Sequence, residues 1–144
     1  MRLTARATVE QSPAAVWAFL ADPSTAPSWD ASIAEVIPRS TGAPAVGWEA
    51  ETLSPRGKRQ RFRISRYEDG RLLSFVLLDD PMFHHAELSF LLEPAGAGTR
   101  IVHIIEGRTR NRALGILLTV IGGRALARDL SRLRAALRRL PTDP

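Results

Sequence analysis

Residues 2–10 alternate, with Leu3, Ala5, Ala7 and Val9 set against Arg2, Thr4, Arg6, Thr8 and Glu10. A period of two predicts a strand with one buried face. Gln11-Ser12-Pro13 then reads as a helix start, with Ser12 as N-cap and Pro13 at the first helical position. Val16, Trp17 and Leu20 follow at helical spacing, and Asp22-Pro23 ends the helix. Residues 23–30 read as a short turn or second helix. Strand signals then come in quick succession over 32–38, 46–53, 58–67, 71–78, 83–92 and 99–107. Ser54-Pro55-Arg56-Gly57 and Asp69-Gly70 are turns between them. Within these strands Val46, Trp48, Ala50 and Thr52 share a face, as do Phe62 and Ile64, and as do Ala86, Leu88, Phe90 and Leu92. Glu49 and Glu51 lie on the opposite face, across the hairpin from Arg59, Arg61 and Arg63.

From about Asn111 to Leu140 the period changes. Leu126, Leu130, Leu133, Leu137 and Leu140 recur at steps of four and three, which is one stripe of a helix. Ala113 to Gly123 carries no charge. Gly122-Gly123 inside it costs roughly 1 kcal/mol per glycine relative to alanine, so a kink or a close contact with another backbone is expected there. An antiparallel sheet with one apolar face needs a cover, and this long helix is the available one. The expected fold class is α+β: a curved antiparallel sheet of about seven strands around a long C-terminal helix, with two short helices after the first strand, in one domain over residues 1–144.

Composition narrows the chemistry. The chain has 144 residues, 44% of them hydrophobic, and no cysteine. Disulfides, thiolate metal sites and a cysteine nucleophile are therefore excluded. No apolar stretch is long enough for a transmembrane helix, and the first residues lack the uninterrupted apolar run of a signal peptide, so a cytoplasmic location is expected. The net charge is +5, and it is unevenly spread. Arg108 to Arg139 holds nine arginines against one acid, Asp129, for a net +8, while the remainder is mildly anionic.

The order and spacing of these pieces resemble a known superfamily. Ser12-Pro13-Ala14-Ala15-Val16-Trp17-Ala18-Phe19-Leu20-Ala21-Asp22-Pro23 follows the first strand, and Pro27-Ser28-Trp29-Asp30 comes next. Val46-Gly47-Trp48, Leu92-Glu93-Pro94, Gly98-Thr99-Arg100-Ile101 and the Leu133 to Leu137 helix end complete the set. Together they look like the helix-grip fold of the START/Bet v 1-like (SRPBCC) superfamily, in its bacterial polyketide cyclase/dehydrase branch. The resemblance spans nearly the whole chain. It implies a deep apolar cavity between sheet and helix that binds a small apolar molecule such as a lipid, polyketide or quinone. Relatives of this kind include cyclase-type enzymes and proteins that only carry a ligand.

The candidate ligand-binding residues are Trp29, Trp48, Phe75, His84, Phe90 and Leu117, with Ala113 to Gly123 as a mobile gate. His84 is placed on the Leu88/Phe90 face by alternation, and His85 on the solvent face. If the protein is an enzyme of polyketide cyclase/dehydratase type, His84, His103 and Glu106 are the groups available to move protons. The plainer reading of Glu106 is an exposed strand-end charge paired with Arg108 or Arg110. A metal needs three or four converging ligands, and two histidines plus Glu106 could supply them only by coincidence of register, so neither a metal nor a cofactor is expected. Nucleic acid is not an expected partner, because the basic segment lacks stacking aromatics. A third reading is docking to an acidic partner, or transient contact with an anionic membrane, through the arginine-rich helix. A monomer or a homodimer is expected.

Overall fold

The computed structural model describes residues 1–140. Among these, seven strands form one antiparallel sheet: β1 (Arg2–Val9), β2 (Glu35–Pro38), β3 (Glu49–Leu53), β4 (Arg59–Glu68), β5 (Leu72–Leu78), β6 (Phe83–Ala95) and β7 (Gly98–Thr109). Their order is β1-β7-β6-β5-β4-β3-β2. The first two strands thus sit at opposite edges. Helix α1 (Pro13–Leu20) and a 3-10 helix (Pro23–Ser28) make the crossing between them. Helix α2 (Arg112–Arg138) follows β7, and the curved sheet wraps it in a helix-grip fold.

Local chemistry explains the punctuation. The Ser12 Oγ accepts the Ala15 N–H at 3.3 Å and starts α1. The Asp22 carboxylate accepts the Ser24 N–H at 3.0 Å and starts the 3-10 helix. Gly70 turns β4 into β5 with φ of +75°, a conformation that side chains with a Cβ disfavour. Two predicted strands begin later than their apolar patterns. Asp30 holds Ser32 in a turn through 2.9 Å and 2.6 Å bonds, which delays β2 to Glu35. Gly47 has φ of +89°, so β3 starts at Glu49. Val46 is left 65% exposed instead of facing inward, whereas Trp48 is buried as its spacing predicts.

The outer face of the β3–β4 hairpin is an ion-pair lattice. Glu49 accepts from Arg61 at 3.1 Å and from Arg63 at 3.4 Å. Glu51 accepts from Arg39 at 2.7 Å and from Arg59 at 3.1 Å. The Arg39 and Arg59 hydrogen bonds hold the Glu51 carboxyl below the usual range despite its desolvation. With charge on one face, the apolar side chains of the same strands must face the other.

On that inner face α2 packs unevenly. Leu126, Leu130, Leu133 and Leu137 are buried, the last three in one cluster with Val16, Leu20, Leu92 and Ile101. The end of α2 is tied down by Gln11, whose Nε2 donates to the Leu137 carbonyl at 3.2 Å while its backbone carbonyl accepts from Thr99 Oγ1 at 2.8 Å. The first half of α2 touches the sheet through small residues. A Cβ on Gly122 would collide with Leu3 Cδ1, and one on Gly115 would lie 2.8 Å from Thr109 Oγ1. The close approach at Gly122 is therefore to a side chain, not to the backbone expected from the sequence, and Gly123 faces open space. Replacing Gly123 by alanine is expected to stabilise the protein by about 0.5–1 kcal/mol, because helix propensity improves at no steric cost. Replacing Gly122 by alanine is expected to give no gain or a loss, because Leu3 must move. Urea denaturation of both variants checks this, and equal gains at the two positions would contradict it.

Candidate functional site

The strand register builds the inner wall. One row across the sheet runs Ala5, His103, Phe90 and Leu73, each directly opposite the next. The neighbouring row runs Leu3, Ile105, Leu88, Phe75 and Ile64. Helix α2 packs along β1 and β7 and leaves the inner faces of the strands beyond them uncovered. The result is a cavity of about 350 Å³ between the sheet, the 3-10 helix and α2. That volume suits a small ligand.

Aromatic rings frame the cavity in two groups. Trp29 meets Phe90 edge-on at 5.3 Å, and Phe90 stacks on His103 at 4.1 Å. Trp48 lies 6.2 Å from Phe62, which meets Phe75 edge-on at 5.5 Å. The polar tips of these groups have no protein partner. The Nε1 atoms of Trp29 and Trp48 and both ring nitrogens of His103 are buried without a hydrogen bond among the described residues. Burial holds the His103 pKa down at about 4, so the imidazole is neutral near pH 7 and offers one donor and one acceptor.

Acidic side chains also line the cavity: Asp22, Asp30, Asp80 and Asp129, against a single cation, Lys58. Three of the four are committed to local backbone. Asp22 caps the 3-10 helix, Asp30 holds Ser32, and Asp80 accepts the Met82 N–H at 2.7 Å. Asp129, on α2, has no hydrogen-bond partner among the described residues. Burial first, and the Asp30 carboxylate second, push its pKa up to about 6, with Arg132 and Arg128 opposing.

Of the residues proposed from the sequence, Trp29, Trp48, Phe75, Phe90 and His103 line this cavity. His84, Leu117 and Glu106 do not. At His84 strict alternation fails, because the β6–β7 register shifts between Phe83 and His85. The extra residue of this bulge turns outward, where His84 Nδ1 lies 3.4 Å from Arg110. Leu117 is 52% exposed on the outward face of α2. Stepping back from Leu126 by fours reaches Gly122, Leu118 and Leu114, so Leu117 falls beside the core stripe. Glu106 is exposed and pairs at 2.7 Å with Arg2, not with Arg108 or Arg110. The proposed gate also lies elsewhere: from α2 only Asp129 lines the cavity. Asp129 and Asp30 were not singled out by sequence. The available signal was that Asp129 is the lone acid of a basic segment and directly precedes Leu130 of the buried stripe.

The chain matches, over residues 1–142, the family described as polyketide cyclase/dehydrase and lipid transport. Its fold is similar to that of a START superfamily protein from Mycobacterium smegmatis, with a TM-score of 0.83, 14% identity, and 97% and 99% of the two chains covered. Protein MLL2253 from Mesorhizobium loti gives 0.76 at 20% identity over 100% of both chains. Ara h 8.0201 gives 0.74 at 10% identity, covering 97% of this chain and 99% of its own. No curated protein matches in sequence.

Two titratable groups of the cavity, His103 and Asp129, oppose one another in acid. An unfolded histidine takes up a proton near 6.5 and folded His103 only near 4, so its contribution is full above pH 6.5 and lost as pH falls towards 4. Folded Asp129 protonates near 6 and its unfolded form near 3.8, so its contribution is lost as pH rises through that window. The Asp129→Asn variant is expected to melt higher than the wild type at pH 7 and to lose stability more steeply towards pH 4. The His103→Leu variant is expected to show the opposite slope. Thermal melts across this range check both, and unchanged profiles would contradict the assignment.

Proposed function

Because the chain belongs to the polyketide cyclase/dehydrase and lipid transport family, we propose that its cavity binds an apolar small molecule that is uncharged and carries oxygen acceptors. The observation that carries this reading is the set of unpartnered polar atoms in an apolar wall: Trp29 Nε1, Trp48 Nε1 and the His103 ring. Burial of ligand surface supplies the drive, at roughly 25 cal/mol per Å² before the costs of association. A carbonyl or hydroxyl oxygen meeting an indole N–H adds orientation, since a buried donor left unmet costs about 1–3 kcal/mol. The aspartates of the lining disfavour a carboxylate or phosphate headgroup. Quinones and polyketides satisfy these demands, and free fatty acids do not.

A second reading, proton transfer of the cyclase/dehydratase type, is favoured by Asp129. A carboxyl with a pKa of about 6 at the edge of an apolar cavity is suited to exchange a proton near neutral pH. His103 is a second titratable group of the lining. His84 and Glu106 have no part in it, since both lie outside the cavity.

Isothermal titration calorimetry with three probes of similar bulk tests the ligand class: 2-methyl-1,4-naphthoquinone, methylnaphthalene and naphthoate. The quinone is expected to bind most tightly, and naphthoate about tenfold or more weaker. Trp48→Phe is expected to weaken the quinone about fivefold and to leave methylnaphthalene unchanged. Heat from naphthoate equal to that from the quinone, or no binding of any probe, would contradict the proposal.

A further inference from the structure

The outward face of α2 changes character along its length. Ile116, Leu117, Val120 and Ile121 occupy one face at i, i+1, i+4 and i+5, and they are 67%, 52%, 75% and 51% exposed. The opposite side of the same turns is already packed, through Gly115 on Thr109 and Gly122 on Leu3. The outward row then continues four and eight residues beyond Val120 as Arg124 and Arg128, both exposed. At the other end stand Arg108, Arg110 and Arg112, also exposed. Exposed Met82 lies beside them, its carbonyl accepting the Arg110 N–H at 2.9 Å. None of these five arginines forms an ion pair with another described residue. An apolar patch two turns long is thus bracketed by cations at both ends.

We propose that this face of α2 docks onto an anionic lipid bilayer, with Ile116, Leu117, Val120 and Ile121 entering the boundary between headgroups and acyl chains and the arginines meeting lipid phosphates. An apolar centre with basic flanks is the charge and polarity profile that such an interface complements. A second copy of the chain fits less well. It would bring two sets of arginines together, and four side chains are far from the roughly 20 residues per side of a standard protein interface. Nucleic acid would engage the arginines but leave the apolar centre unmet, and this face offers no aromatic ring to stack on a base. The proposal does not require the cavity reading, since none of these residues lines the cavity.

Vesicle flotation of the full chain tests it, using phosphatidylcholine vesicles with and without phosphatidylglycerol at low and high salt. The wild type is expected to float with the anionic vesicles at low salt, to release at high salt, and to stay unbound with neutral vesicles. Val120→Asp with Ile121→Asp, and separately Arg124→Glu with Arg128→Glu, are each expected to lower binding about tenfold or more. A readout that tolerates poor folding of those variants uses the absence of native cysteine. Val120→Cys carrying an environment-sensitive dye is expected to shift to the blue on anionic vesicles, and the same dye at Arg63→Cys, on the outer face of the sheet away from α2, is not. Binding indifferent to phosphatidylglycerol, equal response at both labelled positions, or a soluble dimer abolished by Val120→Asp would overturn the proposal.

Discussion

The contact between the leucine row of α2 and the concave face of the sheet governs the rest of this structure. Leu130, Leu133 and Leu137 pack where α1 and the β1–α1 loop also converge. Close packing there holds the helix at a fixed height over the sheet. Towards the 3-10 helix no side chain of α2 is long enough and apolar enough to fill the same gap. Asp129 stands there instead. The cavity follows from a helix that packs along β1 and β7 and leaves the inner faces of β3, β4 and β5 without a helix over them.

That geometry gives the polar atoms of the cavity their meaning. A tightly packed core tolerates few buried donors and acceptors without partners, because each costs desolvation with nothing in return. Here the indole nitrogens of Trp29 and Trp48 and the imidazole nitrogens of His103, all on residues that line the cavity, are buried without a partner among the described residues. Plain packing would be served better by phenylalanine or leucine at each position. The outer face shows the contrast, since the Glu49 and Glu51 carboxylates there are met by arginines. The indole and imidazole nitrogens have no such partner among the described residues.

Much of this was legible in the chain itself. Alternation identified the inward faces of β1, β4 and most of β6, and capping by Ser12 and the leucine stripe located the helices. The charged face of the β3–β4 hairpin followed from the same count. What escaped had local physical causes. The bulge at Phe83/His85 inserts one residue and reverses His84, and no periodicity in the sequence marks it. Gly47 in a left-handed conformation ended the alternation one turn before β3 and exposed Val46. Leu117 was misjudged because an uncharged helical stretch was taken as wholly inward, although only one of its faces continues the leucine row. Asp129 looked like one acid among many arginines, and its importance arises from burial beside Asp30, which depends on the tertiary fold.

Native mass spectrometry of the intact chain, incubated with a mixture of neutral and anionic apolar compounds, is the most direct examination of a hollow, selective interior. The account requires one guest per chain, drawn from the uncharged oxygen-bearing members and released when His103 and Trp48 are both made apolar. A bare chain mass, or retention of carboxylates in preference to ketones, would show that the space between sheet and helix does not do what its chemistry suggests.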